Sequence, residues 1–117
     1  MEQTSTFPGI LRHSSGSFTL NNAGFIVGGY GINNQVLSDV WKYDASNDSW
    51  TQLNDIPVAL FGASFFVIND TAFMTNGWMS AAGNPNDSLY RYEELTDSWT
   101  SISITQELLH TLVQLLC

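Results

Sequence analysis

Short apolar runs alternate along the chain with clusters of Asn, Asp, Ser, Thr and Gly, and the runs have the length of strands. The most apolar, Phe25-Ile26-Val27, ends in Gly28-Gly29-Tyr30-Gly31. Around it the pattern predicts four strands: Ser14–Leu20, Gly24–Gly29, Asp39–Asp44 and Ser49–Leu53. Asn21-Asn22 suits a tight hairpin turn, since Asn tolerates the left-handed backbone. The run Phe25-Ile26-Val27 reads as a strand buried on both faces. Glycines 28 and 29 then allow positive φ or close approach of another strand. In the third strand Val40, Lys42 and Asp44 alternate with Trp41 and Tyr43, so its two faces differ. Residues 30–38 read as a loop, 45–48 as a turn and 54–57 as a crossing segment.

The same order of residues then returns. Strands are predicted at Ala63–Ile68, Thr71–Asn76, Ser88–Glu93 and Ser98–Ile102, with a loop at 79–87. Trp50 and Trp99, Tyr43 and Tyr92, and Trp41 and Tyr90 are each 49 positions apart. Phe18 and Phe66, Phe25 and Phe73, and Gly29 and Gly77 are 48 apart, so the second loop holds one extra residue. A period near 50 built from strands lies in the kelch range of repeat architectures.

On these residues the chain resembles the kelch family of β-propeller repeats, over about residues 7–102. A glycine pair ends the second strand, a tyrosine sits on the third and a tryptophan on the fourth. Phe7-Pro8-Gly9, Arg12, Phe18 and Gly24-Phe25 are similar to the start of a blade in bacterial kelch-type proteins and in the central domain of galactose oxidase. The second repeat departs at two places: Asn76-Gly77 replaces Gly-Gly, and Leu60 stands where Arg12 stands in the first. The resemblance implies an all-β fold of two four-stranded antiparallel blades, a partial propeller. Residues 1–11 would lead in, 12–57 and 58–102 would form the blades, and 103–117 would be a short C-terminal helical tail.

That tail breaks the repeat. Ser103-Ile104-Thr105-Gln106 has capping-box spacing, and Leu108, Leu109, Leu112, Val113, Leu115 and Leu116 follow at helical intervals. Three readings stand: a helix folded back over an exposed sheet edge, a segment foreign to the repeat array, or a dimerisation helix. Two blades alone leave sheet faces without neighbours, because blade stability comes largely from inter-blade contact. A larger propeller, self-association through the open faces, or cover by the tail would each resolve this.

Composition narrows the partners. The net charge is −8, and Arg12, Lys42 and Arg91 are the only permanent cations. Nucleic acid is therefore not expected, since phosphate binding needs clustered Lys and Arg. No run approaches the ~20 apolar residues of a membrane-spanning helix. Residues 1–6 show no signal peptide. The compartment stays open, with a secreted or cell-surface parent as one option. The single cysteine, Cys117, permits neither an internal disulfide nor a Cys-rich zinc site.

No catalytic constellation is visible. His13 and His110, the two histidines, lack metal-ligand spacing, and Gly28-Gly29-Tyr30-Gly31 lacks the helix and lysine of a phosphate loop. Some kelch-type propellers are copper radical oxidases or sialic acid epimerases. The oxidase centre requires a cysteine cross-linked to tyrosine and two histidines, which this chain does not supply. Arg12 lies where an epimerase arginine can sit. Trp50 and Trp99 are expected in the inter-blade core because they share a strand position. Tyr30 and Trp78, which follow the glycines, are expected to reach the loop surface. With Asn33, Asn34, Asn84 and Asn86 they form the expected contact set for a protein or glycan partner. Asn84, Asn86 and Asp87 offer oxygens to calcium, but a site needs 6–8, so no cofactor or metal is expected. The expected function is a non-catalytic interaction module of a larger propeller. The alternatives are part of a carbohydrate-active propeller enzyme and an adhesion repeat without specific ligands.

Overall fold

The computed structural model describes residues 6–80, 82–102 and 114. Its regular elements up to residue 102 are nine strands: β1 (Arg12–His13), β2 (Gly16–Leu20), β3 (Ala23–Gly31), β4 (Val36–Asp44), β5 (Ser49–Leu53), β6 (Ser64–Ile68), β7 (Thr71–Thr75), β8 (Leu89–Glu93) and β9 (Ser98–Ile102). The first five make sheet 1 and the last four make sheet 2, with every pairing antiparallel. β1 and β2 both pair with β3, end to end, so sheet 1 is four strands deep like sheet 2. The all-β pair of four-stranded blades expected from the repeat is what the chain forms. The helical tail falls outside the described residues except for Gln114.

The hairpin turns follow from their residues. Asn21 and Asn22 adopt φ of 51° and 65°, and Asn69 and Asp70 adopt 51° and 59°. These are left-handed conformations in which a short polar side chain costs little. At the glycine pair the chain does more than turn. Gly28 and Gly29 have φ of 60° and 116°, and the β3–β4 register shifts between Val27 and Gly29. A Cβ at Gly28 would stand 2.5 Å from the Leu60 carbonyl oxygen. The bulge lets β3 continue to Gly31 instead of stopping at Gly29, and β4 begins at Val36 instead of Asp39. The loop expected over 30–38 therefore shrinks to 32–35.

One face of each sheet packs on the other. Phe18, Leu20, Phe25, Val27 and Val40 of sheet 1 share a core with Ala72, Met74 and Tyr92 of sheet 2. Phe65 and Trp99 pack against it. Phe18 stacks on Phe25 at 4.6 Å and meets the Trp99 ring edge-on at 6.2 Å. The crossing segment seals the joint with Ile56 and Leu60, both buried, while Gly29 N–H donates to the Leu60 carbonyl at 2.7 Å. Polar clasps flank the core: Asn54 N–H and its side-chain amide donate to Asp97, each at 2.8 Å.

Two expectations about burial are corrected. Ile26 is only partly buried, because it lies on the face of β3 opposite Ala23, Phe25 and Val27, the side chains through which β3 meets sheet 2. Trp50 does not join the inter-blade core. It lies on the other face of sheet 1, edge-on to Phe7 at 5.0 Å and tilted on Tyr43 at 4.9 Å. Trp99 does join that core, as expected.

Candidate functional site

The loops that vary between the repeats meet at one end of the two sheets. Ile32 N–H donates to the Leu11 carbonyl, which ties the lead-in segment to the loop after Gly31. The His13 and Tyr30 rings stack at 5.4 Å, and Tyr30 meets Phe61 edge-on at 5.3 Å. Phe61 then pairs with Trp78 through two backbone hydrogen bonds of 2.8 and 3.1 Å. The result is a row, His13–Tyr30–Phe61–Trp78, whose first three rings touch and whose last is set opposite Phe61 by the backbone bridge. It rests on backbone pairings, so a rigid scaffold holds it.

Around this row the surface is apolar and nearly free of charge. Leu11 is 67% exposed, Ile32 71%, Trp78 45% and Met79 40%. Segments 28–38 and 76–86 contain no Asp, Glu, Lys or Arg. The acidic side chains gather instead on the tight turns: Asp44 and Asp48 in sheet 1, Asp70, Glu94 and Asp97 in sheet 2. Exposed rings and aliphatic groups side by side resemble the centre of a recognition surface, where charge is depleted and aromatic residues and Met are enriched.

The six residues singled out from sequence fall into two groups. Tyr30 is half-buried within the ring row, and Trp78 stands out from it. Asn33, Asn34 and Asn84 are exposed on the two loops flanking it. Asn86 is different. It is 7% exposed, its amide donates to the Asn76 and Ser88 carbonyls at 2.9 and 3.2 Å, and its side-chain oxygen accepts from Ser88 N–H. Asn86 shapes the 76–88 loop from within, and its groups are already engaged. Sequence reasoning missed Leu11, Ile32, Phe61 and Met79. Their only signal was apolar character inside segments otherwise read as loop.

Beside the ring row, Arg12 anchors the lead-in. Its guanidinium grips both Asp39 carboxylate oxygens, donates to the Gly28 carbonyl at 3.2 Å and lies over the Phe7 ring at 5.1 Å. Its side chain is 5% exposed. Burial pushes the Asp39 carboxyl up. The Arg12 hydrogen bonds, the Trp41 indole N–H at 2.7 Å and the Arg12 charge outweigh that, and its pKa lies below the ordinary carboxylate value. Arg12 is thus held in a largely buried structural ion pair, at the wall of a cavity. That cavity, of about 470 Å³, is lined by Arg12 with Phe7, Leu11, His13, Ser15 and Trp50 among others. Among the described residues no three His, Cys, Asp or Glu side chains gather as a metal site.

Comparison with known proteins adds the following. The family described as Kelch motif matches residues 11–57. Kelch-like protein 25 of Xenopus tropicalis is 30% identical over 86 residues, covering 68% of this chain and 15% of that protein. N-acetylneuraminate epimerase of Salmonella arizonae is 35% identical over 82 residues, covering 65% of this chain and 21% of that protein. A kelch repeat-containing protein of Dictyostelium discoideum is 29% identical over 85 residues, covering 71% and 13%. The chain thus spans between 13% and 21% of these relatives' length. The solved structure of YjhT superposes with a TM-score of 0.76 at 21% identity, over 88% of this chain and 40% of that one.

Proposed function

This chain belongs to the kelch-repeat β-propeller family, and from that premise we propose that it is a non-catalytic interaction module whose loop end binds a partner protein. We take residues 12–57 and 58–102 as its two blades. The observation that carries the reading is the row of rings, exposed at His13 and Trp78 and accompanied by the exposed aliphatic side chains of Leu11, Ile32 and Met79, on a charge-poor end of an otherwise acidic chain. Such groups bind by burial of apolar area, with Trp78 as the anchor residue. Asn33, Asn34 and Asn84 form the polar rim that fixes orientation, and Tyr30 supports the anchor. Because the contact is uncharged, binding should change little between low and high salt.

The test compares the intact chain with Trp78→Ala and with Leu11→Ser/Ile32→Ser by quantitative cross-linking in the source cells. A protein captured by the intact chain and by an Asn69→Ser control on the far turns, but lost with both loop variants, supports the reading. Equal capture by all of them overturns it.

A second reading, part of a carbohydrate-active propeller enzyme, is favoured by the 35% identity to N-acetylneuraminate epimerase. The buried engagement of Arg12 with Asp39 weighs against that arginine as a substrate ligand. Proton NMR of N-acetylneuraminate anomers with and without the protein decides between the readings. Faster anomer exchange would favour the enzyme.

A further inference from the structure

The second repeat carries an Asn-Gly pair, Asn76-Gly77, where the first carries Gly28-Gly29, 48 positions earlier. The backbone calls for both residue types. Asn76 has φ of 63°, matching the 60° of Gly28, and asparagine is one of the few side chains for which that left-handed conformation costs little. Gly77 has φ of 88°, and a Cβ there would stand 2.9 Å from the Ala63 Cβ and 3.1 Å from the Ala63 backbone nitrogen. The corner after β7 therefore requires glycine at 77, and this chain places an amide side chain directly before it.

That order of residues is reactive. The Cγ of an asparagine lies within reach of the backbone nitrogen of the next residue, and a glycine, lacking Cβ, leaves the approach open. The chain holds no other Asn-Gly pair. Asn76 is exposed, and among the described residues its side-chain amide has no hydrogen-bond partner. Other asparagines differ. The Asn21 amide donates to Glu94, that of Asn54 to Asp97, and that of Asn86 to the Asn76 and Ser88 carbonyls. Asn84 precedes Pro85, which has no N–H to lose.

We propose that Asn76-Gly77 is a spontaneous deamidation site through which the loop end of sheet 2 ages. The Gly77 nitrogen bonds to Asn76 Cγ as the Cγ–Nδ2 bond breaks. The Gly77 amide proton passes to solvent base, and Nδ2 leaves as ammonia after taking a proton from water. Water then opens the cyclic imide at either carbonyl, giving aspartate or isoaspartate at position 76. Either product puts a carboxylate into segment 76–86, which holds no charged residue, close to Trp78. Isoaspartate also reroutes the main chain through Cγ and leaves the former Asn76 carbonyl carbon as a free carboxylate. The Asn76 and Gly77 carbonyls accept from the Asn86 side-chain amide and backbone N–H, each at 2.9 Å. The change therefore falls on the bonds that shape the 76–88 loop. The modification stands on Asn76 and its neighbours alone. Its cost to partner capture rests on the interaction reading above, because a carboxylate beside an apolar anchor opposes burial.

The full chain is incubated in mildly alkaline buffer and sampled over weeks. Asn76→Gly, which copies the Gly28-Gly29 corner, and a synthetic peptide spanning residues 72–80 are treated alike. Peptide mapping by mass spectrometry, with enzymatic methylation to detect isoaspartate, reads the products. The expected result is an acidic species in the parent chain that maps to residues 76–77, with isoaspartate exceeding aspartate. Asn76→Gly should form none of it, and the Asn86 side-chain amide NMR signals should shift in the aged parent. A folded chain that stays intact while the peptide converts overturns the proposal. So does modification spread equally over the other asparagines, or an aged parent with unchanged Asn86 signals. No partner is present, so these outcomes are independent of the interaction reading.

Discussion

Trp50 and Trp99 hold the same position in the two repeats, each paired across strands with a tyrosine, and they end in different surroundings. Trp99 meets Tyr92 at 4.8 Å, Phe18 at 6.2 Å and Phe65 at 6.4 Å, so its ring links both sheets. Trp50 meets Tyr43 and Phe7, and Phe7 belongs to the lead-in, not to another blade. The local unit is nonetheless conserved to the atom: Tyr43 donates its hydroxyl to Asp48 at 2.6 Å, and Tyr92 donates to Asp97 at 2.9 Å. A repeat therefore encodes the blade and its tyrosine–tryptophan corner. What that corner packs against is set by whatever lies next in space.

The comparison can be broken at several points. Trp99→Ala should cost about 4 kcal/mol, because it empties a site between two sheets. Trp50→Ala should cost about half of that, since Phe7 can resettle over the gap. Urea denaturation followed by fluorescence measures both, and equal costs would erase the distinction.

Next in size is Arg12→Leu, which makes the first repeat's lead-in like the second, where Leu60 stands. It strands the Asp39 carboxylate in a partly buried site and should cost about 3 kcal/mol. Arg12→Leu/Asp39→Asn should recover part of the loss. The same pair sets a pH dependence. The folded-state pKa of Asp39 is lowered, so its contribution is complete above the unfolded carboxylate value of about 4 and fades as pH falls through the folded value. Thermal melts across that acid range should be less steep in pH for Asp39→Asn than for the parent chain.

Smaller still is Asp97→Ala. It removes the Asn54 N–H clasp and the partner of the Tyr92 hydroxyl, at about 1–2 kcal/mol. Burial and the Asp97 carboxylate together push the Tyr92 phenol up. Ultraviolet titration should therefore show Tyr92 ionising earlier in alkali once Asp97 is removed. The mildest change is Trp99→Phe. The Trp99 indole N–H is buried with no acceptor among the described residues, so losing it offsets part of the lost ring area. A melting temperature within a few degrees of the parent is expected.

Much of this was legible in the sequence because it is local. Asn21-Asn22 and Asn69-Asp70 named their turns, and the spacing of Tyr43, Trp50, Tyr92 and Trp99 named two like sheets. Strand ends near the glycines were not legible. The bulge at Gly28-Gly29 continues β3 past residues whose type suggests a stop. Long-range partners were hidden for the same physical reason. Nothing in the composition of Arg12 or Asp39 says that 27 residues of chain fold back to pair them. On the loop end, Tyr30 and Trp78 were readable as aromatic residues following glycines. Asn86 was read as a surface amide, yet the loop closes over it.

The most direct test of the account is a pair of double-mutant cycles, Phe18→Ala with Trp99→Ala and Phe18→Ala with Trp50→Ala. A contact across the sheets should give a coupling of about 1 kcal/mol in the first cycle and none within error in the second. Equal couplings, or a larger one with Trp50, would contradict the placement of the two tryptophans and with it the single core that joins the blades.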